Sequence, residues 1–136
     1  MSNSCLIIAG EKSGEEHCMS FLTPLKQQYP NVEFFGVGGD DMQRVGVDTL
    51  YHLKDFSSMG FSIDVLKKIP FYFKAMDLIC LEVEKRSCKT AILVDFQGFN
   101  IKLGARLKKM GVKVLHYVAP QAWAWKPNRV EKIKNN

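Results

Sequence analysis

The chain has 136 residues, a length that predicts a single domain. Hydrophobic residues make up 46% and charged residues 24%, which is typical of a globular domain and excludes a disordered or fibrous chain. The formal net charge of +5 permits an anionic partner without requiring one. No apolar run reaches the ~18 residues that would span a bilayer.

The N-terminus and the cysteines indicate the cellular compartment of the chain and whether a metal site is expected. Residues 1–10 lack the basic and long apolar regions of a signal peptide, which predicts a cytoplasmic chain. The cysteines, Cys5, Cys18, Cys80 and Cys88, form no Cys-x-x-Cys pair, and no two histidines have metal-ligand spacing. We therefore expect reduced thiols, no disulfide framework and no metal site.

Apolar runs alternate with segments of helical periodicity. Strands are predicted at 4–9, 32–37, 47–53, 90–94 and 112–118. Helices are predicted at 15–28, 42–45, 61–84 and 100–110, the third interrupted at Pro70, and another begins at 127 and reaches the last residue without a cap. Uninterrupted apolar strands are typical of a parallel sheet covered on both faces. The sequence therefore predicts an α/β fold, a Rossmann-like doubly wound parallel sheet, within a larger protein.

The loop after the first strand, residues 10–15, is rich in glycine and opens a helix. Backbone amides at a helix N-terminus can hold an anion. However, the glycine spacing matches neither common phosphate-binding motif, and Glu11 and Glu15 would oppose a phosphate. The alternative is a tight turn in which Ser13 is the N-cap and Glu16 completes a capping box.

Asp95 follows the fourth predicted strand, at the sheet edge where open parallel sheets bind ligands. A partly desolvated carboxylate there is suited to general-base catalysis, and the alternative is a hydrogen-bonded loop residue. Asn100 begins the next helix and is predicted as its N-cap. Among the three histidines, His116 is predicted to lie in the core, and His17 and His52 carry no functional signal.

Two aromatic segments suggest apolar ligands. Trp123 and Trp125 indicate either an aromatic wall over a pocket or ordinary core packing. In residues 59–76, large apolar side chains surround Pro70 on nearly every side, and lysines are interspersed. Such a helix is either wholly buried or lies at a lipid interface with its lysines reaching the headgroups.

Six motifs follow one another along almost the whole chain. They are A-G-E-K-S-G-E at 9–15, F-G-V-G-G-D-D-M-Q at 35–43, M-G-F-S-I-D-V-L at 59–66, D-F-Q-G-F-N at 95–100, H-Y-V-A-P-Q-A-W-A-W at 116–125 and R-V-E-K-I at 129–133. In this order and at this spacing they resemble the motifs of the lipid-A-disaccharide synthase family, glycosyltransferases of the GT-B architecture.

The resemblance implies a reaction and a set of site residues. The family transfers 2,3-diacylglucosamine, with inversion, from UDP-2,3-diacylglucosamine to the 6-hydroxyl of 2,3-diacylglucosamine 1-phosphate. Asp95 takes the position of the catalytic aspartate, the base on that hydroxyl. Substrate-binding positions are Gly10, Glu11, Ser13, Gly14, Met59, Gly60, Asn100 and Trp123. Membrane or acyl-chain contacts are Phe61, Val65, Leu66, Ile69, Phe71 and Phe73. The resemblance implies no metal and no cofactor, the UDP-linked sugar being a substrate.

Several positions depart from the family pattern. In the family's D-x-P-D-F-N motif, the proline is Gln97 here and the second aspartate is Gly98, which predicts a looser loop around Asp95. The family's Ser-Pro-Ser becomes residues 119–121, Ala-Pro-Gln, which removes two hydroxyl groups near the pocket. Asp64 replaces a glutamate, a milder change.

The resemblance also implies partners. Residues 1–136 correspond to an N-terminal, acceptor-side domain, and the C-terminal UDP-binding domain is absent, so we expect this chain alone to be inactive. Expected partners are an acylated glucosamine phosphate, the cytoplasmic surface of the inner membrane, and the missing domain or a second chain, but no nucleic acid. One alternative is a non-catalytic module that binds acylated sugars or docks on membranes. Another, a plain nucleotide-binding domain, is opposed by the missing G-x-G-x-x-G motif.

Overall fold

The computed structural model describes residues 3–57 and 65–117. Strands are β1 Ser4–Ala9, β2 Glu33–Gly38, β3 Asp48–His52, β4 Thr90–Val94 and β5 Lys113–Tyr117. Helices are α1 Lys12–Gln28, α2 Asp40–Arg44, α3 Leu53–Ser57, α4 Val65–Lys85 and α5 Gln97–Lys109. The predicted alternation of strands and helices is confirmed in this part of the chain.

All strand pairs are parallel, and the strand order is β3-β2-β1-β4-β5. The chain builds outward from β1 to β3, then returns to the other side of β1 to add β4 and β5. This reversal creates a topological switch point between β1 and β4, where Ala9 pairs with Val94. The predicted Rossmann-like fold is confirmed, and ligands of such sheets bind beyond the carboxyl ends of the strands at this point.

The sheet is covered on both faces, because alternate residues of β1 enter two different apolar clusters. Leu6 and Ile8 pack in one cluster with residues of α4 and α5, such as Ile79. Cys5 and Ile7 pack in the other cluster with residues of α1. Strand side chains alternate between the two sides of a sheet, so both sides need apolar residues. Continuous apolar strands follow from this double burial.

Two predicted helix caps are wrong because both helices begin three residues earlier than expected. Helix α1 begins at Lys12, and Glu11, in an extended conformation, is its N-cap. Ser13 therefore lies in the first turn, and the predicted capping box does not form. Helix α5 begins at Gln97 with Phe96 as N-cap. The backbone N–H of Asn100 donates to the Phe96 carbonyl at 2.7 Å, which places Asn100 inside the helix.

Pro70 was predicted to end or kink its helix, and it does not end it. Helix α4 runs from Val65 to Lys85 and includes Pro70. The proline lies near the helix N-terminus, where it removes one backbone hydrogen bond from a 21-residue helix. Residues farther along, such as Met76 and Ile79, bury an apolar face against the sheet and stabilise the continuous helix.

Candidate functional site

The loops after β1 and β4 meet at the switch point. A methyl group added at Gly10 would lie 2.6 Å from Cδ2 of Phe96, so the two loops approach as closely as a glycine allows. Gly14, in the first turn of α1, is buried, and a Cβ there would lie 3.6 Å from the Val94 carbonyl oxygen. Glu11 and Ser13 are exposed in the same loop and first turn. The predicted loop residues are thus grouped around the carboxyl ends of the two central strands.

Asp95 is the first residue after β4 and has a left-handed backbone, with φ of +52°. Aspartate tolerates this conformation better than most residues. Its N–H donates to the Tyr117 carbonyl of β5 at 2.9 Å, which fixes the turn at the sheet edge. Only 10% of the Asp95 side chain is exposed. The end of β4 therefore places the mostly buried Asp95 carboxylate at the switch point, as predicted.

The side chain that meets Asp95 is His17, for which the sequence gave no functional signal. Nδ1 of His17 is hydrogen-bonded to Oδ2 of Asp95. The His17 ring also packs against Tyr117, with 5.7 Å between ring centroids. Topology could have found this histidine, because the first turns of the helix after β1 stand beside the end of β4.

Glu15 has a structural role at the start of α1. Its side chain is 1% exposed. The N–H of Met42 donates to one carboxylate oxygen at 3.1 Å, and Lys12 Nζ donates to the other at 3.2 Å. A Cβ at Gly39 would lie 2.6 Å from this carboxylate, so glycine is needed where α2 approaches it. Glu15 therefore ties α1 to the N-terminus of α2, and its hydrogen bond raises the pKa of Lys12.

Asn100 is 2% exposed and lies one turn after Phe96 in α5. Within residues 3–57 and 65–117, its Oδ1 atom has no hydrogen-bond donor. A buried polar atom without a partner costs about 1–3 kcal/mol, so such atoms are rare in folded proteins. Among the described residues, Asn100 is therefore a buried side chain whose acceptor oxygen has no donor.

An apolar cleft of about 340 Å³ lies between α4 and α5. Its lining residues are Ile69, Tyr72, Phe73, Met76, Phe96, Gly98, Phe99 and Lys102. Ile69 and Phe73 are each 41% exposed, and Lys102 Nζ lies 5.6 Å from the Phe73 ring centre. Phe96, one of the lining residues, directly follows Asp95 in the sequence. Burial, with a smaller effect of the Glu11 charge, raises the pKa of Tyr72 in the same cleft.

Of the other predicted contact residues, the structure shows side-chain contacts for Phe71. Phe71 is partly buried and packs edge-on against Phe56 and Tyr51, at 5.3 and 5.6 Å between ring centroids, so the structure gives it a core contact. Val65 and Leu66 form the first turn of α4. The remaining predicted positions, Met59, Gly60, Phe61 and Trp123, lie outside the described residues.

The prediction that His116 lies in the core is wrong. It is exposed on β5, which lies at one side of the described sheet. Its ring lies near α5, since a Cβ at Gly104 would lie 3.1 Å from its Nε2. The prediction failed because an apolar strand pattern does not distinguish a central strand from one at the side of the sheet.

The described residues contain neither a metal-binding cluster nor a membrane-spanning helix. No three of their histidine, cysteine, aspartate or glutamate side chains are grouped closely enough to hold a metal ion. Within the same ranges, the helices are too short or too polar to cross a membrane.

Comparison with known proteins identifies the family. A family model described as lipid-A-disaccharide synthetase matches residues 5–136. The lipid-A-disaccharide synthases of Anaeromyxobacter sp. (strain K) and Myxococcus xanthus (strain DK1622) are both 37% identical to this chain, covering 98% and 95% of it. The Aliivibrio salmonicida enzyme of the same name is 36% identical over 93% of the chain.

The matched region is a limited part of these relatives. It makes up 34% of the Anaeromyxobacter protein and 33% of the other two. The chain thus spans about a third of the length of the curated relatives it matches. Because the family model covers almost every residue, including the site at the switch point, the chain belongs to the lipid-A-disaccharide synthase family.

Proposed function

We propose that this chain provides the acceptor-side and catalytic part of a lipid-A-disaccharide synthase. The reaction would transfer 2,3-diacylglucosamine from UDP-2,3-diacylglucosamine to the 6-hydroxyl of 2,3-diacylglucosamine 1-phosphate. The observation that carries the proposal is the Asp95 carboxylate, 10% exposed and hydrogen-bonded to His17 at the switch point. Inversion in a single displacement requires removal of the acceptor proton, and a positioned basic group at the strand ends supplies that chemistry.

The cleft between α4 and α5 fits the acyl chains of the acceptor. Its walls are almost entirely hydrocarbon and aromatic, and Lys102 lies at its edge, where a phosphate or headgroup could be bound. Phe96 lines the cleft and follows Asp95 in the sequence, so we propose that an acyl chain in the cleft leaves the attached sugar within reach of the loop that carries Asp95. Asn100, Glu11, Ser13 and Gly14 then provide polar contacts for the sugar.

Exposed apolar side chains at the mouth of the cleft support contact with a membrane. Ile69 and Phe73 are large and each 41% exposed, which suits insertion at a lipid interface. The net charge of +5 favours an anionic surface. We therefore propose that the protein acts at the cytoplasmic face of the inner membrane, without a metal or a cofactor, and that donor binding requires the part of the related synthases that this sequence does not match.

Reconstitution tests the proposal. This chain would be joined to, or mixed with, the remaining two thirds of a related synthase and given both sugar substrates in detergent. Formation of the disaccharide 1-phosphate and UDP, detected by mass spectrometry, is expected only when both parts are present. Binding of the acceptor without transfer would contradict the proposal and favour a non-catalytic module that binds acylated sugars.

A further inference from the structure

The two members of the His17–Asp95 pair differ in accessibility. The His17 side chain is 34% exposed, whereas the Asp95 side chain is only 10% exposed. The Oδ2 atom of Asp95 is hydrogen-bonded to His17. A hydroxyl arriving from solvent would therefore meet the imidazole before the carboxylate. The exposed partner is the one that can touch a substrate.

The imidazole is also held in a fixed orientation. Its Nδ1 atom faces Asp95, and the Tyr117 ring lies against it at 5.7 Å between centroids. No hydrogen bond to Nε2 occurs among the described residues. A carboxylate at Nδ1 favours the neutral tautomer that carries its proton on Nδ1 and leaves Nε2 as a lone-pair acceptor. The arrangement is that of a general base oriented by a third group.

From this geometry we infer that Nε2 of His17 is the atom that takes the acceptor proton, and that Asp95 is the positioning residue. The inference rests on the proposed transfer reaction and deepens it. The acceptor oxygen forms a bond to the anomeric carbon of the donor while the bond from that carbon to the UDP oxygen breaks. UDP leaves with the electron pair, and the hydroxyl proton moves to Nε2, giving an imidazolium that the Asp95 carboxylate stabilises. An imidazole is a better general base near neutral pH than an ordinary carboxylate, because its pKa lies closer to that pH.

Nitrogen NMR of this chain tests the arrangement without any turnover. With ¹⁵N-labelled histidine, we expect neutral His17 to carry its proton on Nδ1. Asp95→Asn should shift the ring toward the Nε2-protonated form, which is the commoner one. His52 offers a matched control, since its Nε2 pairs with Asp40 Oδ1 at 2.9 Å elsewhere in the chain. A wild-type His17 protonated on Nε2 would overturn the inference.

Kinetics of the reconstituted synthase test the role. His17→Gln should lower kcat by roughly 100-fold or more, the usual contribution of a general base, with KM changed by less than about threefold. His52→Gln should leave kcat unchanged. For His17→Ala, added imidazole should restore part of the lost rate, which a purely structural role would not allow. Circular dichroism of each variant establishes that it is folded.

The outcomes separate the two proposals. If His17→Gln retains most of its turnover while Asp95→Asn loses it, Asp95 acts directly on the hydroxyl. The inference then fails and the transfer function stands. If the wild-type reconstitution forms no disaccharide, the proposed function fails, and the inference fails with it.

Discussion

At the scale of single residues, the close approach of Gly10 and Phe96 joins the two loops that carry the site. A methyl group at position 10 would lie 2.6 Å from the Phe96 ring, well inside van der Waals contact. Gly10→Ala should therefore lower the free energy of unfolding by about 1–3 kcal/mol, because either the ring or the loop must move. Urea denaturation measures this loss.

Gly98 provides the matched control for Gly10. It lies in the first turn of α5, and a Cβ there would have no neighbour within 4 Å among the residues that the structure describes. Gly98→Ala should leave stability unchanged or raise it by up to about 1 kcal/mol, since alanine favours a helix. Equal losses for both variants would contradict the steric account of Gly10.

Replacing the buried amide of Asn100 should raise stability and weaken binding of the acceptor. Asn100→Leu removes an unsatisfied oxygen and introduces a better helix former, so the free energy of unfolding should rise by about 1 kcal/mol. Binding of the acylated acceptor sugar should weaken, because the hydrogen bond that we assign to Asn100 is lost. Thermal unfolding and acceptor titration measure the two effects. A destabilised variant would show that Asn100 has a structural partner.

Some residues of the site follow from sequence and others do not. The position of Asp95 could be predicted, because a polar residue directly after a buried parallel strand must lie at the ligand-binding edge. His17 could not be identified by its local pattern, since its partner is 78 positions away in sequence. The N-cap assignment of Asn100 failed because Gln97 and Gly98, poor signals of a helix start, already form the first turn of α5.

At the scale of helices and strands, the facing surfaces of α4 and α5 form the cleft. Phe73 lines the cleft and is 41% exposed, whereas Leu81, two turns farther along α4, is 52% exposed and does not line it. Phe73→Ser should weaken binding to vesicles of phosphatidylethanolamine and phosphatidylglycerol by about 3- to 20-fold, from the loss of buried apolar area. Leu81→Ser should have little effect. Vesicle cosedimentation compares the two, and equal weakening would contradict a membrane contact centred on the cleft.

Element type was predictable here, but several boundaries were not. The strands follow from continuous apolar runs, since both sheet faces are covered. The continuity of α4 through Pro70 could not be predicted, because it depends on tertiary burial of residues such as Ile79 that outweighs one lost hydrogen bond. Likewise, the exposure of His116 depends on which side of the sheet β5 joins.

At the scale of the whole molecule, the buried thiols predict that the free energy of unfolding falls at alkaline pH. Burial, with a smaller effect of the Glu15 and Asp95 charges, raises the pKa of Cys18 to about 12, against 9.0 for an ordinary thiol. The unfolded chain loses this proton above pH 9 while the folded chain keeps it, so stability present below pH 9 is lost as the pH rises toward 12.

Cys18→Ala should therefore flatten the fall in unfolding free energy between pH 9 and 12, by up to about 1.4 kcal/mol per pH unit. Cys80→Ala is the control, because that thiol is only partly buried and should contribute less. Urea denaturation at several pH values measures both slopes. Identical slopes in the wild type and Cys18→Ala would contradict the assigned burial effect.

If sugar transfer depends on the Asp95 carboxylate at the end of β4, the turnover of Asp95→Asn in the reconstituted synthase is its most direct test. The variant keeps the size of the side chain and removes its charge. We predict a loss of roughly 100-fold or more in the rate of disaccharide formation, with the fold intact by circular dichroism. Asp77→Asn, which changes an exposed aspartate paired with Arg106, should leave the rate unchanged. An Asp95→Asn enzyme that turns over like the wild type would contradict the account.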